Sequence, residues 1–406
     1  MPPPTITSVT ASCFATVLQA GQTSQCSAEV QGTGGFSSAV TWQASAGSIS
    51  SAGLFTAANS GAVTVTATSV EDTTKSGNAG LTTGPIQKSN FTYSGITLTS
   101  YSTGEYSSAA EATSATAQAA TGSNWAGVLV TQYQANATAT SIAPVAGQTP
   151  SDADVVAAIS ALHAQGLKVM LKPHVDGSDG SWRGTFQPSD LNAWFASFTT
   201  FIDHYATLAQ QNNVEMLCFG TEYVDLTVTG NLPYWTNVIK SIRGIYTGPL
   251  VYAANAVSIP DEFNQVPFWS QVDVIGLDGY FPLTNQNDPT IAQLVAAWSN
   301  NMNGDNVVAA VTNFASAHSP QPVIFSEIGY RSVAGTNQRP YDYSFSGPYD
   351  PMEQQDCYQA MYEVWNNSGI IQGHFWWAWQ VSQPAPGDTE YAPWTKPADT
   401  ILQAWQ

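Results

Sequence analysis

Charge is scarce in this chain. Asp, Glu, Lys and Arg together make up 10% of its 406 residues. A hydrophobic content of 43% excludes disorder as the reason, so the polarity comes from Ser, Thr, Asn and Gln. Cations are the scarcest: 10 Lys and Arg face 29 Asp and Glu, for a formal net charge of −19. A chain so poor in basic patches is excluded from binding nucleic acid or an anionic membrane. A neutral polysaccharide or oligosaccharide is not excluded, since it neither attracts nor repels the acidic surface. Few charges also mean little mutual repulsion on titration, which fits an acidic working pH. Long apolar runs are missing as well, so no membrane insertion is expected, and Met1-Pro-Pro-Pro4 has no signal-peptide pattern.

Cysteine is limited to four residues. Cys13 and Cys26 lie close together in a β-rich region and are candidates for a disulfide between neighbouring strands, which implies an oxidising compartment. Cys218 falls in an apolar strand and Cys357 on a helical stretch, both as packing residues. The cysteines have no metal-ligand spacing, and the loop Asp176-Gly-Ser-Asp179-Gly180 lacks the full ligand series of a calcium loop. Nucleophile-elbow serine, zinc-helix and glycine-rich phosphate motifs are also missing, so no metal and no cofactor is implied.

Up to about residue 85, short alternating segments such as Ala39–Gln43 and Ala62–Ala67 are separated by Gly, Ser and Asn turns, the pattern of a small β-sandwich. Trp42 reads as a core residue there, and Thr82-Thr-Gly-Pro85 as a linker. From residue 86 the pattern becomes strand and helix in alternation. Apolar strands are predicted at 96–98, 126–130, 167–171, 216–219, 250–254, 272–277, 323–325 and 373–377. Helices are predicted at 152–165, 188–211, 233–246 and 352–365, among others, with Pro188 as a helix start. Eight strands alternating with helices predict an α/β fold, a (β/α)₈ TIM barrel over residues 86–406 behind an all-β domain over 1–85.

If the barrel forms, its strand ends gather one set of side chains at one rim. These are His174 and Asp176 from the third strand, Arg183 just beyond, Glu222 from the fourth, Asn255 from the fifth, Asp278 and Tyr280 from the sixth, Glu327 from the seventh and Trp377 from the eighth. Hydrogen-bonding groups suit sugar hydroxyls, and an indole suits the C–H face of a pyranose. Two rim glutamates point to glycosidic cleavage, which needs one carboxylic acid to protonate the leaving oxygen and one carboxylate to attack or to activate water. Tyr280 is placed to hold the nucleophile's carboxylate by a hydrogen bond, and mutual repulsion is expected to raise the acid. Of the three rim tryptophans, alternation sends at least one of Trp376 and Trp379 outward; Trp194, Phe195 and Tyr330 read as structural.

Gly47–Ala57 followed by Val63–Ala67 resembles bacterial immunoglobulin-like repeats, spacer or adhesion modules of secreted and surface proteins. The barrel resembles retaining (β/α)₈ glycosidases whose acid/base follows strand four and whose nucleophile follows strand seven. More closely it is similar to glycoside hydrolase family 113, typified by endo-β-1,4-mannanases. The likeness runs through Leu171–Asp176, Trp182–Gly184, Trp194-Phe195, Gly220-Thr-Glu222, Tyr252–Asn255, Phe325–Tyr330 and Phe375–Trp379. It implies Glu222 as acid/base and Glu327 as nucleophile, with Trp377 flooring the cleavage subsite and His174, Asp176, Arg183, Asn255, Asp278 and Tyr280 around the sugar. Thr221 stands where the wider clan has Asn, so the usual contact to the sugar 2-hydroxyl must be made elsewhere or lost. The implied protein is a monomeric, secreted or cell-surface β-1,4-mannanase. The same mechanism on β-glucan, xylan or a short oligosaccharide is one alternative, and a non-catalytic carbohydrate-binding surface protein is another.

Overall fold

The computed structural model describes residues 4–13, 16–58, 60–84, 88–366 and 368–406. Two compact units divide the chain, one ending at Lys88 and the other beginning at Ser89. The junction expected at residues 85 and 86 lies outside the described residues.

The first unit is all β. Strands β1 (Thr5–Cys13), β3 (Thr23–Thr33), β6 (Leu54–Thr56) and β5 (Ser48–Ile49) form one sheet in that order. Strands β2 (Val17–Gln19), β8 (Ser76–Gly84), β7 (Gly61–Ser69) and β4 (Val40–Ala44) form the other. Inward residues Ile6 and Val9, three apart across a register shift in β1, with Val30 from the same sheet and Ala67 from the other, build the core, and Trp42 packs against it. Cys13 and Cys26 are register partners on β1 and β3 and form a disulfide. Thr82–Gly84 is no linker: Thr82 and Thr83 pair with Ala62 and Gly61, because β7 runs far enough to offer them its backbone.

The second unit is a closed barrel of eight parallel strands. These are β9 (Tyr93–Thr99), β10 (Trp125–Gln134), β11 (Lys168–Gly177), β12 (Met216–Thr221), β13 (Leu250–Asn255), β14 (Val274–Asp278), β15 (Val323–Ile328) and β16 (Ile371–Gln380). β12 to β15 are buried along their whole length, which is why they read as continuous apolar runs. Trp125, Met170, Met216, Cys218, Val251, Ala253, Val274, Ile324 and Phe375 meet in one interior cluster. Two residues further along, the same face of five of these strands carries Lys172, Asn255, Gly276, Ser326 and Trp377, so the interior changes from apolar to polar toward the C-terminal rim.

Around the barrel lie α1 (Ala109–Ala120), α2 (Asp152–Ala164), α3 (Leu191–Gln211), α4 (Leu232–Arg243), α5 (Ile291–Ala297), α6 (Val307–Ala317), α7 (Pro351–Trp365) and α8 (Pro397–Trp405). α3 starts three residues after Pro188, with Asp190 as the cap accepting from the N–H groups of Asn192 and Ala193. α1 is not marked by apolar periodicity because it docks through polar atoms. Gln118 Nε2 donates to the Ile96 carbonyl at 2.8 Å and Ser114 Oγ to the Gln380 carbonyl at 2.9 Å.

Several carboxyls are buried in this unit. Burial pushes Glu111 on α1, Glu262 after β13 and Asp356 on α7 each up to about 8. Unfolded, such groups titrate near about 4. The folded barrel therefore holds protons that the unfolded chain has released, and the stability they confer at acid pH is lost as pH rises toward 8. Asp154, where hydrogen bonds from Ser107 and Ser151 outweigh burial and pull the carboxyl down to about 2, acts in the opposite sense only below about pH 4. The barrel's melting temperature is expected to be several degrees higher at pH 5 than at pH 8.5, with Glu111→Gln narrowing the gap. Calorimetry showing equal or reversed values would contradict this ordering.

Candidate active site

Glu327 reaches the rim through a break in alternation. Ser326 faces the interior, so a regular strand would send Glu327 outward. The register shifts on both sides of β15, between Leu277 and Asp278 and between Phe325 and Ile328, turn both residues inward. One carboxylate oxygen of Glu327, Oε1, accepts from Lys172 Nζ, and Oε2 accepts from the Tyr280 hydroxyl at 2.9 Å. His174 Nε2 lies 3.6 Å from Oε1. Glu327 is buried except for 5% of its surface.

Glu222 is set by a different device. It sits just past β12 with φ 54°, in the left-handed region, and its N–H donates to the Ala253 carbonyl at 2.8 Å. The next N–H, of Tyr223, donates to the Tyr252 hydroxyl, which donates in turn to the buried Glu262 at 2.6 Å. A Cβ at position 220 would come within 2.7 Å of the Tyr252 ring, so Gly220 is what lets the strand end lie against it. Glu222 Oε2 accepts from Trp182 Nε1 at 3.3 Å and lies 3.7 Å from Arg183 Nη1. Burial pushes the Glu222 carboxyl up to about 7, with Arg183 opposing and the charge of Glu327 adding. The raised acid foreseen from repulsion is thus raised first by desolvation.

Arg183 is anchored by Asp176, whose Oδ1 accepts from Nη2 at 2.6 Å and from Nε at 3.1 Å. Trp377 lies parallel to His174, ring centres 6.0 Å apart. Burial, helped by Arg183 and Lys172, holds His174 well below the ordinary imidazole range, so its ring is neutral. Asn255 lies at the end of β13, but its amide nitrogen is committed to Asp261 at 2.9 Å. Asp278 corrects an expectation: it is wholly buried, with its oxygens 3.2 and 3.3 Å from Lys172 Nζ and Ser326 Oγ donating at 2.8 Å, so it faces Lys172 and offers no surface to a sugar. Trp376 and Trp379 both pack outward, Trp376 stacked on Tyr358 of α7 and Trp379 on Trp394.

Lys172 lies within the Leu171–Asp176 run at the end of the third strand but receives no role from the sequence. What marks it further is phase: a lysine two residues after the interior Met170 on a strand whose neighbours are buried. Trp182, 46% exposed while bonded to Glu222, and Tyr101, 48% exposed with Asp176, Arg183 and Glu327 close enough to act on its hydroxyl, also join the rim. Asp288, Asp350 and Glu353 bring carboxylate oxygens within 4.8 Å of one another. Glu353 there accepts from the Gly335 and Asn337 N–H groups, and a hydrogen bond with Asp350 raises Asp288 to about 6. In the loop with a calcium-like sequence, Asp179 caps Ser181 and Asp176 holds Arg183.

A parallel barrel with two carboxyl groups at its C-terminal rim, one ringed by donors and the other raised by burial, defines the (β/α)₈ class of glycoside hydrolases. The model of Glycoside Hydrolase Family 113 matches residues 96–396, most of the chain, and the protein belongs to that family. A comparison with curated proteins finds no match. Among solved structures, the β-mannanase AaManA from Alicyclobacillus acidocaldarius, in complex with ManMIm, is 26% identical with a TM-score of 0.68, covering 77% of this chain and 96% of that one. A family 113 β-1,4-mannanase solved as a complex is 24% identical, TM-score 0.67, over 78% of this chain and 98% of that one. Another family 113 β-1,4-mannanase structure is 25% identical, TM-score 0.67, over 77% and 97%.

Trp182 N–H favours the charged form of Glu222, so Trp182→Phe is expected to raise that carboxyl further. In the acid role expected for it from the sequence, Glu222 works only while protonated; the alkaline limb of kcat/KM, expected near pH 7, should therefore move up by about half to one pH unit. A limb unchanged or moved down would show that the indole N–H does not act on this carboxyl.

Proposed function

We propose that this protein is a retaining β-1,4-mannanase in which Glu327 attacks the anomeric carbon and Glu222 serves as acid, then base. The observation that carries the reading is the contrast between the two carboxyl groups. Both oxygens of Glu327 receive donors, from Lys172 and Tyr280. Glu222, pushed up to about 7 by burial, keeps a proton to give at mildly acid pH. In the first step Glu222 protonates the leaving oxygen as Glu327 forms the glycosyl ester. In the second, ionised Glu222 takes a proton from the water that releases the sugar. Charge then lies on Glu222 beside Arg183, whose burial is outweighed by Asp176 and Glu222 so that it stays cationic.

Mannan as substrate is supported by membership of family 113 and by the likeness to solved structures described as β-mannanases. Trp377, parallel to the neutral His174, supplies a flat apolar face for a pyranose ring. The net charge of −19 suits an uncharged polymer better than an acidic one. The disulfide of the first unit supports a secreted or cell-surface location, and its two small sheets support reading it as an immunoglobulin-like spacer.

Two measurements test this reading. Reducing ends should be released from mannan and glucomannan, and Glu327→Ala should lower that release to background without changing the melting temperature. Release from xylan or β-glucan alone would replace the substrate, and undiminished release by Glu327→Ala would remove the nucleophile assignment. With an activated aryl glycoside and azide, Glu222→Ala should yield the β-glycosyl azide; an α product would overturn retention.

A further inference from the structure

Lys172 and Asp278 are not needed to write a two-carboxylate mechanism, yet both are wholly buried at its centre. Lys172 Nζ bonds Glu327 and lies 3.2 and 3.3 Å from the oxygens of Asp278. A parallel arrangement stands at the other glutamate, where Arg183 is 3.7 Å from Glu222 and 2.6 Å from Asp176. Each rim glutamate therefore meets one cation, and each cation has a second carboxylate of its own.

The charges that move during double displacement give this duplication a purpose. A lone pair on a Glu327 oxygen forms the bond to the anomeric carbon while the bond to the leaving oxygen breaks. The leaving oxygen keeps that electron pair and takes the proton of Glu222. One negative charge disappears at Glu327 and one appears at Glu222; water attack reverses both. A buried ammonium whose single partner was Glu327 would be stranded in the glycosyl-enzyme, and an unpaired buried charge is strongly unfavourable.

Resting on the reading of Glu327 as nucleophile, we propose that Asp278 is the compensating counter-ion that keeps Lys172 paired while Glu327 is esterified, which makes the pair a positioning device for the glycosyl-enzyme. Lys172 then stays in place to receive the carboxylate again when water attacks. Lys172 Nζ, 3.2 and 3.3 Å from its oxygens, and the Ser326 hydroxyl, donating at 2.8 Å, both favour the ionised form of Asp278, so the pair is intact before and after esterification and no proton enters or leaves it.

The two half-reactions separate this role from a structural one. In the full-length enzyme, kcat/KM for dinitrophenyl β-mannobioside reports glycosylation, and reactivation of enzyme labelled with a 2-fluoromannosyl fluoride reports deglycosylation. Asp278→Asn strands Lys172 in the intermediate, so glycosylation is expected to slow about tenfold or more while reactivation quickens by about the same factor. Both steps slowed together, or both unchanged, would overturn the proposal, since damaged packing moves them in one direction. Should Asp278→Asn fail to fold, the double variant Lys172→Met/Asp278→Asn removes the cation with its counter-ion. Its reactivation should stay within about threefold of wild type while glycosylation falls about tenfold or more. Reactivation falling in step with glycosylation there would overturn the proposal. A wild-type enzyme that releases no dinitrophenol and takes up no label would overturn the retaining mannosidase reading, and charge compensation with it.

Discussion

The cost of removing charge from water governs the open end of this barrel. Strand ends converging at the C-terminal rim bring Lys172, Asp278, Glu327, Glu222 and Arg183 together with little solvent to stabilise them. Stranding one partner of such a pair costs about 3–5 kcal/mol. The site meets that constraint by pairing. Lys172 is held cationic by Asp278 and Glu327 against its own burial, and Arg183 by Asp176. Where a cation is less closely engaged, as at Glu222, the group keeps its proton instead. A carboxyl raised by burial and a carboxylate met by donors on both oxygens thus arise from one residue type, separated by how closely a cation engages each.

The placement of those groups rests on period-two alternation and on two departures from it. Below the rim, alternate residues of seven strands meet in an apolar cluster that closes the barrel floor. One step higher the same faces become polar, and Lys172 and Ser326 enter the interior on strands otherwise built for packing. The bulge in β15 adds Glu327 to the inward set, and the left-handed turn after β12 swings Glu222 over it. Behind Glu222 a chain of hydrogen bonds through Tyr252, Glu262 and Thr227 holds that turn. Sparsely populated backbone conformations persist at functional sites when surrounding bonds over-determine them, as here.

Polar groups also explain where the sequence misled. α1 carries Ser114 and Gln118 on the face that meets the barrel, so no apolar stripe announces it. Thr82–Gly84 has the composition of a linker, but its backbone is paired by β7. Asp278 looks like a free rim carboxylate because it precedes Tyr280 at a strand end; its burial by Lys172 becomes apparent only when β11 and β14, with two strands between them in the barrel order, face each other across the interior. Glu262 and Tyr101 come from loops whose sequence carries no periodic signal.

The sequence alone determined the eight apolar strands, their alternation with helices and the presence of two glutamates past strands four and seven. Those features depend on local composition and on the order of segments, which a linear chain displays directly. It also carried the Cys13 and Cys26 pairing, because two strands joined over so short a span have few registers to choose from. Tertiary structure decided the rest: which carboxyl is raised, which cation serves which glutamate, and that Lys172 belongs to the site at all. These are properties of the distance between residues far apart in sequence and of the water excluded from between them. Both come into being only when the barrel closes.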